Sequence, residues 1–161
     1  MVEEGRKTSA KGTQVSIIIP TYNESQNILK ILKSIGDILP KNILAEAIVV
    51  DDNSPDGTGK IVENYLKEFK KVTGYTIDVI HRTAKKGLSS AILNGIQQAK
   101  GDTIVVMDSD FSHPPQIIPR MLDVLRKYRC DIVVASRYVK GGKISGWPLK
   151  RKLLSKLATV I

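Results

Sequence analysis

Cysteine is almost absent from this chain, with Cys130 its single thiol. One thiol excludes an internal disulfide framework and fits a reducing compartment. Cys130 borders an apolar run, where a small buried hydrophobe is expected rather than a nucleophile. Histidine is scarce too. His81 and His113 stand too far apart to form a local metal motif, and both read as structural or supporting residues. No run approaches the about 18 apolar residues that a membrane-spanning helix needs. Residues 1–13 are polar and charged and lack the apolar core of a signal peptide, so they read as a flexible tail. No Gly-x-x-x-x-Gly-Lys-[Ser/Thr] occurs. Gly57-Thr58-Gly59 meets Val62 where a dinucleotide fingerprint needs a third glycine, which argues against ATP hydrolysis and hydride transfer. Acids are missing from one end altogether: residues 137–161 hold seven Lys and Arg and no Asp or Glu. The net charge of +9 is therefore local. Nucleic-acid binding would spread basic residues across the domain. A basic end piece reads better as a contact with the phosphates of a substrate or of a membrane surface.

What is present is enough for one domain: 161 residues, 42% of them hydrophobic. Apolar, β-rich runs alternate with helical spacing. Val15–Pro20 is a predicted strand. Ser25–Leu39 is a predicted helix, with Asn23 and Gln26 as a capping box. Strands are predicted to end at Ile48–Val50 and to cover Thr76–Ile80, Ile104–Met107 and Ile132–Ala135. Further helices are predicted over Lys60–Val72, Ser89–Ala99, Pro115–Tyr128 and Lys150–Val160. The last of these is amphipathic, with Leu153, Leu154, Leu157, Val160 and Ile161 on one face. Alternation of this kind implies an α/β fold, a mostly parallel sheet with helices on both faces.

In such sheets ligands bind beyond the carboxyl ends of the strands. Those ends here carry Tyr22 and Glu24, Asp51 and Asp52, Asp108 to His113, and Arg137. Asp108 and Asp110 flank a single residue, and two such acids repel unless a cation joins them. Mg²⁺ takes one or two carboxylates plus phosphate oxygens. The alternative is an exposed acidic turn. One of Asp51 and Asp52 can accept hydrogen bonds from a nucleobase or ribose, or else fix the turn that Asn53-Ser54-Pro55-Asp56-Gly57 signals. Glu24 can bond a ribose or base, or favour a helix start through the dipole. Tyr22 can pack on a base or stand as a half-buried loop aromatic. Arg137, Lys140, Lys143, Lys150 and Arg151 suit phosphate contact, or form a solvated basic loop.

Four segments in order carry a resemblance: Val15–Glu24 (VSIIIPTYNE), Val49–Thr58 (VVDDNSPDGT), Asp108–Pro115 (DSDFSHPP) and Ala135–Trp147 (ASRYVKGGKISGW). They resemble the dolichol-phosphate mannosyltransferases, within the inverting glycosyltransferases of the GT-A fold, from about Val15 to the end. The resemblance implies a GT-A-like domain over residues 14–161, with the family's later D-x-T-S-G-F-R-like segment and helices absent and catalysis by this length in question. It implies transfer of mannose from GDP-mannose to dolichyl or another polyprenyl phosphate, with inversion and with Mg²⁺ or Mn²⁺. Pro20, Tyr22, Glu24, Val50 and Asp52 would line the guanosine site. Asp108 and Ser109 would touch the ribose or sugar, with Asp108 also a metal ligand. Asp110 would be the main metal ligand. Arg137 and Arg151 would contact the diphosphate or the lipid phosphate. Ser112 stands where some relatives carry a metal-ligating Gln and offers only a hydroxyl. The expected setting is the cytosolic face of a membrane, the endoplasmic reticulum or a prokaryotic plasma membrane, with an anchoring subunit as a possible partner and no nucleic acid. Transfer of glucose from UDP-glucose and a binding-only module are the rival readings.

Overall fold

The structure is a computed structural model and describes residues 14–69, 74–84 and 87–136, with the single positions 138, 139, 148, 150 and 155. The expected tail over 1–13, Arg137, Arg151 and most of the basic loop and last predicted helix lie outside these residues. The chain divides into two units, Met1–Leu122 and Asp123–Ile161.

In chain order the elements are β1 (Val15–Thr21), α1 (Ile28–Ile38), β2 (Ala45–Asp51), α2 (Thr58–Glu68), β3 (Tyr75–His81), α3 (Leu88–Gln98) and β4 (Thr103–Val106). A 3-10 turn, Pro115–Ile117, then leads into α4 (Ile118–Tyr128). The strands form one sheet in the order β3-β2-β1-β4, and every pairing is parallel. β1 and β2 are buried at every position. That is why they read as unbroken apolar runs rather than alternating ones. Successive side chains leave opposite faces of a strand. Ile17, Ile19, Ala47 and Val49 pack with Ile28, Ile31, Leu32 and Ile35 of α1 and Val62 of α2. Ile18, Ile48 and Val50 pack on the other face with Ala91 of α3. Each such Val, Leu or Ile side chain contributes about 1.5–3 kcal/mol.

The end of the sheet away from the strand tips is fixed by a buried carboxylate. Glu46, on β2, accepts from Ser16 Oγ and from the Lys100 backbone N–H, both at 2.6 Å. Ser16 Oγ in turn accepts from Gly101 N–H at 2.8 Å. A Cβ at position 101 would stand 2.7 Å from the Ser16 nitrogen, so only glycine fits there. This network ties the α3–β4 connection to β1 and β2 and so sets where β4 begins.

Three expectations from sequence differ from the structure. No strand forms over Ile132–Ala135; residues 131–136 run without sheet pairing, and Ile132 and Val134 are each 78% exposed. An apolar β-branched run becomes a strand only with a ladder partner and a covered face, and among the described residues it has neither. The capping box is not used either. α1 starts at Ile28, its N-cap Asn27 makes no side-chain cap bond, and Asn23 instead adopts a left-handed φ of 61°. Finally, the helix predicted from Pro115 opens as a 3-10 turn, with Pro119 in the first turn of α4, where a missing N–H does no harm. Lys150 and Ser155 are helical, as the last predicted helix requires at those positions. Among the described residues, no helix is long and apolar enough to cross a membrane.

The Glu46 network yields a direct expectation. Glu46→Ala removes two hydrogen bonds to a carboxylate and orphans Ser16 and the Lys100 N–H, which costs about 3 kcal/mol. The thermal midpoint should fall by roughly 10 °C, measured by circular dichroism. An unchanged midpoint would show that the network adds nothing to stability.

Candidate active site

The parallel register brings Thr21 level with Asp51, and Asp51 level with His81. The strand tips therefore form one edge. The two acids at the end of β2, Asp51 within the strand and Asp52 just past it, leave that edge in opposite directions and have different partners. Asp51 accepts from Thr21 Oγ1 (3.2 Å), from Ser54 N–H (3.1 Å) and from Ser54 Oγ (2.6 Å). It is the acid that fixes the turn. Asp52 forms an ion pair with Arg82 at 2.9 Å, with both side chains under a tenth exposed. Its other oxygen accepts from Gly87 N–H at 2.8 Å. Gly87 is the N-cap of α3, so the carboxylate also sits at the favourable end of a helix. Arg82 further donates to Ser90 Oγ (2.8 Å) and to the Gly87 carbonyl (3.3 Å).

Arg82 is the residue that sequence reasoning missed. It is one base among 25, and only the β2–β3 register places it beside Asp52. His81, level with Asp51, precedes it; a base two residues past a predicted strand was the available signal.

Of the residues expected around a nucleoside, Pro20 is buried, Tyr22 is 39% exposed and Glu24 is half-buried. Glu24 accepts from Asn27 Nδ2 at 3.0 Å. Val50 is fully buried among Ile18, Ile48 and Ala91, so its side chain belongs to the core beneath the site. Asp56 lies on the adjoining turn. Burial alone would raise its pKa, but hydrogen bonds from Thr58 and Ser25 outweigh this and bring it from 3.8 to about 2.

The loop after β4 carries the second acidic pair. Met107 N–H still bonds to Ile18 at 3.2 Å. Asp108 is then half-exposed, Ser109 buried and Asp110 exposed. Phe111 has φ of 61°, an uncommon value for a bulky side chain that turns the loop sharply. Burial would raise the Asp110 pKa, yet the Ser112 hydroxyl and N–H, together with His113, hold it below the usual carboxylate value. Ser112 N–H reaches Asp110 Oδ1 at 2.8 Å. His113 Nδ1 lies 3.2 Å from the Asp108 N–H and 3.5 Å from its carboxylate. One nitrogen cannot both accept and carry a proton. In the shorter contact Nδ1 accepts from the Asp108 N–H.

Among the described residues, no group of three or more His, Cys, Asp and Glu forms a complete metal cage. Two accessible carboxylates one residue apart instead fit a hard cation that draws its other ligands from phosphate and water. Arg137 and Arg151, the expected phosphate contacts, lie outside the described residues.

A parallel sheet with helices on both faces, acidic at the strand tips, is the GT-A arrangement of nucleotide-sugar transferases. The chain belongs to glycosyl transferase family 2, whose pattern matches residues 16–159. It is 44% identical over 148 residues to a dolichol-phosphate mannosyltransferase of Pyrococcus furiosus, covering 92% of this chain and 40% of that relative. It is 39% identical over 145 residues to an undecaprenyl-phosphate mannosyltransferase of Micrococcus luteus, covering 88% of this chain and 56% of the relative. A mannosyltransferase from Pyrobaculum calidifontis, solved with GDP-Man and Mn²⁺, is similar in structure. Its TM-score is 0.59 at 26% identity, over 78% of this chain and 34% of that one. The chain thus spans about half the length, or less, of these proteins.

Two expectations follow from the geometry. Arg82→Met takes the guanidinium away from a buried carboxylate and should cost about 3–5 kcal/mol. The double variant Asp52→Asn/Arg82→Met should recover part of that loss in a denaturation cycle; strict additivity would show that the pair is not coupled. For Asp56 the folded pKa lies below the ordinary 3.8, so its contribution is present above that pH and is lost as pH falls towards about 2. The carboxylate is exposed and screened by water, so the effect is small. Across that acid window the wild type should lose stability more steeply than Asp56→Ala, and superimposable acid curves would contradict this.

Proposed function

We propose that this chain is the donor-binding part of a glycosyltransferase that moves mannose from GDP-mannose to a polyprenyl phosphate such as dolichyl phosphate. The observation that carries the proposal is the placement, on one sheet edge, of the buried Asp52–Arg82 pair and the accessible Asp108–Asp110 loop. The first suits a nucleobase with N–H donors; the second suits a diphosphate bound with a cation. The names of the two mannosyltransferase relatives, and the Pyrobaculum protein's GDP-Man and Mn²⁺, support the choice of sugar and base.

In this proposal Asp52, held by Arg82 and Gly87, accepts from the base. Tyr22 packs on it, and Pro20 and Glu24 complete that side. Asp108 and Ser109 meet the ribose or sugar. Asp110, with Asp108, would hold Mg²⁺ or Mn²⁺, with Ser112 orienting the Asp110 carboxylate. Such an ion would neutralise charge on the departing diphosphate. An acceptor phosphate is already anionic and attacks without a general base. A single in-line displacement inverts the anomeric carbon. The resemblance assigns phosphate contacts to Arg137 and Arg151. The acid-free stretch 137–161 suits the anionic surface on which a lipid-linked acceptor lies, so the proposed location is the cytosolic face of a membrane.

Calorimetric titration with GDP, GDP-mannose and UDP-glucose, with and without Mn²⁺, tests this. Asp110→Ala should abolish the metal-dependent part of donor binding and leave folding intact. Asp52→Ala should weaken GDP and GDP-mannose alike, by roughly ten- to a hundredfold. Tighter binding of UDP-glucose would make glucose the donor sugar. No turnover with a short-chain polyprenyl phosphate would make this chain a binding module.

A further inference from the structure

Three successive backbone N–H groups after β1 are each captured by a side chain from the loop after β2 or from the first residue of α2. Asn23 donates to Ser54 Oγ (3.0 Å), Glu24 to Thr58 Oγ1 (2.9 Å) and Ser25 to Asp56 Oδ2 (3.0 Å). Consecutive amides converge in this way where the backbone leaves the extended form, and Asn23 does so at φ 61°. The accepting groups are themselves tied down. Ser54 Oγ donates to Asp51 Oδ1, and Thr58 Oγ1 to Asp56 Oδ1, both at 2.6 Å. Thr58 is fully buried, so its hydroxyl cannot exchange these partners for water.

We propose that Ser54, Asp56 and Thr58 are positioning residues for nucleoside recognition. They hold the loop over 22–25 so that Tyr22 and Glu24 present a fixed surface to the base, without touching it themselves. A loop left free would have to be ordered on binding, at a cost in affinity. The inference rests on the donor site proposed above.

Thr58→Val removes the hydroxyl and keeps the shape, whereas Thr58→Ser keeps the hydroxyl. Ser54→Ala, at a half-buried position, is a second probe that does not endanger the fold. With the full chain, GDP and separately pyrophosphate with Mn²⁺ are titrated, and amide exchange is followed at residues 23–25. Thr58→Val should bind GDP roughly tenfold more weakly, bind pyrophosphate as before and exchange faster at 23–25. Thr58→Ser should restore all three readings. Unchanged GDP affinity in both Thr58→Val and Ser54→Ala overturns the proposal, and so does an equal loss for both ligands. A wild type that binds no GDP, while Thr58→Val still speeds exchange at 23–25, overturns the donor reading instead.

Discussion

The parallel pairing of β1 with β2 is the constraint on which the site depends. It sets Thr21 level with Asp51 and allows the Asp52 N–H to continue the ladder to the Thr21 carbonyl at 2.9 Å. Because side chains alternate between faces, a slip of one residue would exchange the positions of Asp51 and Asp52. The turn would then lose its anchor and Arg82 its partner together. The wholly buried apolar positions of both strands forbid that slip, since it would also carry Ile17 and Ile18 to each other's packing partners. Core packing and site geometry are here one specification.

Adjacent acids at a strand tip would ordinarily repel. The fold separates them by giving each a different set of donors. Asp51 is surrounded by hydroxyls and an amide, which suit a fixed structural acceptor. Asp52 is paired with a guanidinium and a helix N-terminus, which compensate a buried charge. At β4 the second pair has no such enclosure: Asp108 and Asp110 face water and bind mainly within their own loop. One pair is therefore preorganised by protein and the other is open to ligands from outside.

Much of this was legible in the sequence because long-range burial writes itself locally. β1 and β2 show as continuous apolar runs, and α1 shows its buried stripe at Ile28, Ile31, Leu32 and Ile35. Asp52, Asp108 and Asp110 were legible as strand-end acids. What could not be read depended on partners distant in the chain. Arg82 acquires meaning only through the β2–β3 register. Asn23 looks like a helix cap, yet Ser54, Asp56 and Thr58 draw its loop into a different conformation. Ile132–Ala135 has the composition of a strand but, among the described residues, no ladder. Which of Asp51 and Asp52 holds the turn was likewise undecidable without knowing which face each would take.

Among the described residues β4 has one neighbour, at the edge of the sheet, and Ile104 and Val106 are 37% and 45% exposed. Unpaired backbone groups flanked by apolar side chains form a template on which another strand can add. Copies of this chain in concentrated solution carry that template against a net charge of +9, which holds them apart. Salt shortens the reach of that repulsion. Colloidal behaviour is thus governed by ionic strength: a buffer chosen to weaken non-specific anion binding also lowers the barrier to sheet-edge association.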